Sequence, residues 1–134
     1  MPKLEYFLVC ESISIDQETN RVSVFNIVEE VAPIKARPTG PIVPQVVALA
    51  CWNREPGDEN KDFQATLRIH APEEKAKDFP VNFKMEKPRY RLSLRLQGVP
   101  ALKPGQLRFE MLLNGKHAAE HTILVHSAPT EEDP

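Results

Sequence analysis

Four stretches of the chain alternate apolar and polar side chains with a period of two. Phe63, Ala65, Leu67 and Ile69 alternate with Gln64, Thr66, Arg68 and His70. Phe79, Val81, Phe83 and Met85 alternate with Pro80, Asn82, Lys84 and Glu86. Tyr90, Leu92, Leu94 and Leu96 alternate with Arg91, Ser93, Arg95 and Gln97, and Leu107, Phe109, Met111 and Leu113 form a fourth set. A period of two puts one set on each face of a pleated strand, whereas a helix would scatter these residues round its circumference. Strands with one wet face each predict antiparallel sheets packed over a shared core.

The flanks extend the pattern. Residues 4–15 and 21–31 read as two strands joined by the turn formers of 16–20. Residues 45–52 are apolar on both parities apart from Gln45, the mark of a central strand. Residues 119–125 are the last strand, and Asn114-Gly115 before it is a strong hairpin signal. Pro80 has no amide to donate, so its strand belongs at a sheet edge or carries a bulge. Residues 32–44, with Pro33, Pro38, Pro41 and Pro44, read as a stiff loop, 98–105 as another proline-bearing loop, and 73–77 as a short helical turn. The expected fold is all-β: an antiparallel β-sandwich of about eight strands, one domain over residues 1–126. The polar tail 127–134 is expected to be disordered.

Composition narrows the function without naming it. A net charge of −2 does not favour a nucleic-acid partner. No apolar run approaches the length of a membrane span, and the stretch 6–10 is too short for a signal-peptide core. The chain is therefore expected in the cytoplasm, with no membrane and no nucleic-acid partner. Cys10 and Cys51 sit in apolar surroundings and read as reduced, buried thiols.

The sequence Cys10-Glu11-Ser12-Ile13-Ser14-Ile15-Asp16, then Thr19, then Arg21-Val22-Ser23-Val24-Phe25-Asn26-Ile27, resembles the opening of a family of small bacterial proteins, about 130 residues long, to which no function is assigned. The closing stretch, from Leu102 through Gly105 and Phe109 to Asn114-Gly115, resembles the end of immunoglobulin-like sandwiches. The resemblance implies an immunoglobulin-like β-sandwich and a bacterial or phage source. It carries over no site residue.

Candidate chemistry is sparse. His117 and His121 share one side of a strand but stand roughly 13 Å apart, too far to chelate one ion. No metal site and no cofactor are expected. Asp58, Glu59 and Asp62, with Asp16 and Glu18, would be the ligands of a calcium-dependent or membrane-surface binding module, but the dense Asp-x-Asp pattern is missing. Arg89, Arg91 and Arg95, with Arg68 and Arg108, form either a stripe for phosphates or a solvated sheet face. No nucleophile elbow, P-loop or dinucleotide fingerprint occurs, so no catalytic residue is assigned, although an enzyme with dispersed residues is a competing reading.

Two surfaces remain. If successive strands alternate in direction, one end collects the acidic loops 16–20, 53–61, 86–88 and 114–116. The other collects 32–44, 71–78 and 98–104, with Ile34, Ile42, Val99 and Leu102. Proline lowers the ordering cost of a binding loop, so this end is the expected contact for a protein partner of a non-enzymatic module. The second surface is one face of residues 46–52. Val47, Leu49 and Cys51 suit the interior, which leaves Val46, Ala48, Ala50 and Trp52 as a homodimer face unless the loop 32–44 covers them.

Overall fold

A computed structural model of the chain describes residues 1–32, 34–36, 40–43, 45–100 and 103–126. The tail 127–134 and Leu102 lie outside the described residues. In chain order the strands are β1 (Lys3–Ile15), β2 (Val22–Ile27), β3 (Glu30–Val31), β4 (Ile34–Ala36), β5 (Gly40–Val43) and β6 (Val46–Asn53). They continue as β7 (Asp62–His70), β8 (Lys77–Lys84), β9 (Arg89–Leu96), β10 (Val99–Pro100), β11 (Gly105–Leu113) and β12 (Lys116–Val125). The described residues contain no helix, and so none long and apolar enough to cross a membrane.

One sheet runs β2-β1-β6-β9 and the other β3-β12-β11-β7-β8, with a small sheet β10-β5-β4 beside them. Every strand pair is antiparallel except β3 with β12. The eight long strands, β1, β2, β6, β7, β8, β9, β11 and β12, correspond to the eight expected from the sequence. Asn114 and Gly115 both take positive φ, 48° and 82°, the geometry of a tight two-residue hairpin between β11 and β12. Pro80 lies on β8, a sheet edge, where its missing amide breaks no ladder.

Three local expectations are corrected. Residues 21–31 are not one strand. The Val28 amide still donates to the Val9 carbonyl, but the Leu124 amide donates to Glu29, and β3 pairs with β12, so the chain crosses between sheets here. The segment 32–44 is not simply a loop. It contains the hairpin β4–β5, with Ile34 in register with Ile42, and β10 adds to β5 through Val99 opposite Val43. The proposed helical turn at 73–77 is absent because Glu73 takes a φ of 59°, outside the right-handed helical region.

The core lies between the two large sheets. From one side come Val9, Val46, Ala48, Ala50, Trp52 and Leu92. From the other come Phe63, Leu67, Phe83, Phe109, Met111 and Ile123. The sequence reading of β6 is thus inverted: Val46, Ala48, Ala50 and Trp52 point into the sandwich and are not a dimer face. Trp52 stacks on Phe83 at 6.3 Å between ring centroids, and Phe83 on Tyr90 at 4.5 Å. Small side chains at 48 and 50 leave room for these rings.

Val47, Leu49 and Cys51 then point outward, yet they are buried. The β1–β2 hairpin explains this. Cys51 pairs with Tyr6 on one side and Arg91 on the other, at the start of β1. A straight strand from Tyr6 to Ile15 would carry the turn 16–20 roughly 30 Å away. Instead the Arg91 guanidinium donates to the Asn20 carbonyl at 2.8 Å and to its Oδ1 at 3.3 Å. The hairpin therefore folds back across the outer face of the four-stranded sheet. The bend falls at Glu11 and Asn26, where Asn26 takes a φ of 55° and its amide donates to the Glu11 carboxylate. Beyond the bend Ile13, Val22 and Val24 are half-buried, while Ser14, Ser23 and Phe25 face solvent.

Cys10 and Cys51 are free and buried. Cys10 pairs with Val47, four positions from Cys51 along the ladder, a separation of roughly 13 Å that no disulfide spans.

Candidate binding cleft

The two edge strands β8 and β9 face each other across the open side of the sandwich. Inward-facing residues on β8 are set by its register with β7: Phe63 opposite Phe83, Ala65 opposite Val81, Leu67 opposite Phe79 and Ile69 opposite Lys77. At the Phe83 end the stack on Tyr90 closes the gap. At the other end the register position in line with Phe79 and Val81 is Lys77, whose side chain is exposed.

A cleft of about 620 Å³ opens at that point. Ile69, Phe79, Leu96 and Val99 give it an apolar floor, and Lys75, Lys77 and Arg95 stand at its mouth against a single acid, Glu74. Phe79 is 37% exposed. Among the described residues, Lys75, Lys77 and Arg95 form no ion pair. The volume is in the range of small-ligand pockets. Three cations around apolar walls attract an anion with an apolar neighbour, although the whole chain is acidic.

Of the four residues expected at the proline-rich end, Val99 lines the cleft and also packs on the core. Ile34 and Ile42 are placed only by their pairing on β4 and β5, with their side chains outside the described residues, as is Leu102. Phe79, Lys75, Lys77, Arg95 and Leu96 were not marked by sequence reasoning as one site. The available signals were Pro80, which places β8 at an edge, and the three arginines of β9.

The other candidates separate. Arg91 holds the folded-back hairpin. Arg68 pairs with Asp78 at 2.7 Å and Arg108 with Glu120 at 3.2 Å on the other sheet, so no common stripe exists. The acidic loops bond locally. Asp16 Oδ1 accepts the amides of Glu18 and Thr19, Asp58 is buried and accepts the Glu55 amide, and Glu59 accepts the Gly57 amide. The loop sorting also changes. The β4–β5 hairpin adds a reversal, so β1 runs antiparallel to β6, and the turn 16–20 comes near Arg91 only by folding back. Among the described residues no three His, Cys, Asp or Glu side chains are arranged to hold a metal ion.

One polar cluster was not foreseen. Glu110 accepts from His70 Nε2 at 2.9 Å and from His117 Nδ1 at 2.7 Å, on three adjacent strands. His121 bonds to the Val28 carbonyl instead. Burial raises the Glu110 carboxyl, but the hydrogen bonds of His117 and His70 outweigh it and hold it below the usual carboxylate range. Asp16, bonded by the Thr19 and Glu18 amides, and Asp78, bonded by Arg68, are also lowered. A depressed folded-state value stabilises above the unfolded-state value and is lost as pH falls through the folded one. Unfolding free energy is therefore expected to fall as pH drops below about 4.5. Glu110→Gln is expected to flatten that acid limb in urea titrations at several pH values, and an unchanged limb would contradict the assignment.

Two face-to-face, mainly antiparallel sheets of this kind are an all-β sandwich. The chain is similar in structure to the Pseudomonas fluorescens alkylpurine DNA glycosylase AlkC bound to DNA containing an abasic site analog. The TM-score is 0.60 at 8% identity, covering 93% of this chain and 30% of that one. The chain thus spans under a third of the glycosylase, and at that identity the likeness shows the fold alone. An immunoglobulin-like protein from Pseudomonas aeruginosa aligns with a TM-score of 0.42 at 10% identity, over 94% of this chain and 97% of that one. No protein-family model and no curated protein matches the chain in sequence.

Proposed function

We propose that this chain is a non-enzymatic binding module that takes a segment of a protein partner into the β8–β9 cleft. The segment would place an apolar side chain on Phe79, Leu96 and Val99, with carboxylates beside it for Lys75, Lys77 and Arg95. The observation that carries this reading is the apolar floor under a cationic mouth. The cleft adjoins β10, so it keeps the expected binding end and moves its centre from the proline-rich segment to the paired sheet edges. The resemblance of the opening strands to small bacterial sandwich proteins supports a bacterial or phage source.

Selection of a displayed random-peptide library on the whole chain tests the proposal. Peptides joining a large apolar residue to Asp or Glu are expected to be enriched. They should lose at least tenfold in affinity for Arg95→Glu, an exposed position whose change leaves the melting temperature near that of the parent, and for Phe79→Asp, compared at a temperature where that variant is folded. No enrichment, or equal binding to the variants, would overturn it.

A further inference from the structure

We propose that the partner segment binds as an added strand on the free edge of β9, with carboxylates at the spacing of Arg91 and Arg95. This rests on the cleft reading above and gives the segment its conformation and its pattern. A sheet edge presents unpaired amides and carbonyls, and an extended peptide can complete the ladder. β9 has a strand neighbour only on its β6 side. Its register with β6 runs without a shift from Arg89 to Leu96, and no residue of it takes a positive φ. Among the described residues the other edges are interrupted or short. β8 lacks a donor at Pro80, and β2 contains Asn26 with its φ of 55°. β3 and β10 have two residues each and β4 three.

Charge and burial select the occupant. Arg91 and Arg95 project from one face of β9, and Leu92, Leu94 and Leu96 from the other. Leu92 is buried, but Leu94 and Leu96 are only half-buried. Arg91 is held by Asn20, a neutral partner, and among the described residues neither arginine pairs with a carboxylate. Pairing two copies of β9 about Ser93 would set Arg91 against Arg95, and like charges directly opposite destabilise a strand pair. A strand with Asp or Glu opposite both arginines is favoured instead. Its intervening side chains fall on the leucine face, where they cover Leu94 and Leu96 and reach Phe79 in the cleft. At Tyr90 the stack on Phe83 closes the gap, so the added strand is confined to residues 91–96.

Two capped peptides of one composition, titrated into the whole chain, test the added strand. In Val-Glu-Val-Thr-Phe-Glu-Val, apolar residues alternate with polar ones and the carboxylates stand at the arginine spacing. In the second peptide the same residues are reordered with the apolar ones together. The alternating peptide is expected to bind at least tenfold more tightly than the reordered one, and to lose at least tenfold against Arg95→Glu. Methylating its backbone nitrogens one at a time should cost at least tenfold at every second position and little between, because only alternate amides of a strand face a given neighbour. Equal binding of the two peptides, no binding of either at millimolar concentration, or a methylation profile without the period of two would each overturn the added strand. Phe79→Asp separates this from the cleft reading. A period-two profile untouched by that variant would keep the strand and overturn the cleft. Library peptides that lose affinity for that variant without such a profile would keep the cleft and overturn the strand.

Discussion

Trp52→Ala is expected to cost about 3–5 kcal/mol in unfolding free energy, the range for deleting a large aromatic from a core. Trp52 is 1% exposed and is the first ring of the stack that runs through Phe83 to Tyr90. Its loss removes contacts with both sheets and leaves a void that the short side chains of Ala48 and Ala50 cannot fill. Against a typical total of about 5–15 kcal/mol, that is a large fraction of stability. Trp52→Phe is expected to cost less. A stacking ring remains, and the buried indole N–H, which has no hydrogen-bond partner among the described residues, leaves with the tryptophan. Urea unfolding followed by circular dichroism measures both. A cost below about 1 kcal/mol for Trp52→Ala would put the residue at the surface and contradict the inward assignment of this face.

Leu49→Ala is expected to cost about 2–5 kcal/mol, although Leu49 lies on the outer face of its sheet. Leu49 is fully buried with Val47 beside it, because the β1–β2 hairpin folds back over them. The same cover shields the cysteines. Burial pushes the Cys10 thiol up, with only a partial offset from a backbone hydrogen bond of Ser12, so little thiolate is present near neutral pH. Both cysteines should resist a thiol reagent in the native chain. Arg91→Ala, which frees the hairpin tip, should speed their modification. A cost for Leu49→Ala under about 1 kcal/mol, with fast labelling of the parent, would mean the outer face is open.

The strands between 62 and 125 were legible because each buries one face and wets the other, so the period of two is printed in the residues. β6 was legible as a central strand for the opposite reason, being apolar on both faces. That same symmetry hid which face points inward. The deciding contact, Arg91 on Asn20, joins residues 71 positions apart, and no local pattern encodes it. The β4–β5 hairpin was hidden by Pro41 and its neighbours, which read as a loop although short ladders need only a few donors. The cleft was only half legible. Val99 was marked by its apolar loop, but Phe79 and Lys77 gain meaning only when β8 and β9 face each other across the open side, a juxtaposition set by the order of strands in two sheets.

The central claim, an anion-accepting apolar cleft between β8 and β9, is tested most directly by mapping where a small apolar anion binds. An isotope-labelled sample of the whole chain is titrated with 8-anilinonaphthalene-1-sulfonate and followed by amide chemical shifts. The expected result is saturable shifts confined to residues 69–79 and 95–99, abolished in Phe79→Asp. Shifts that never saturate, or that gather on another face of the sandwich, would contradict the account.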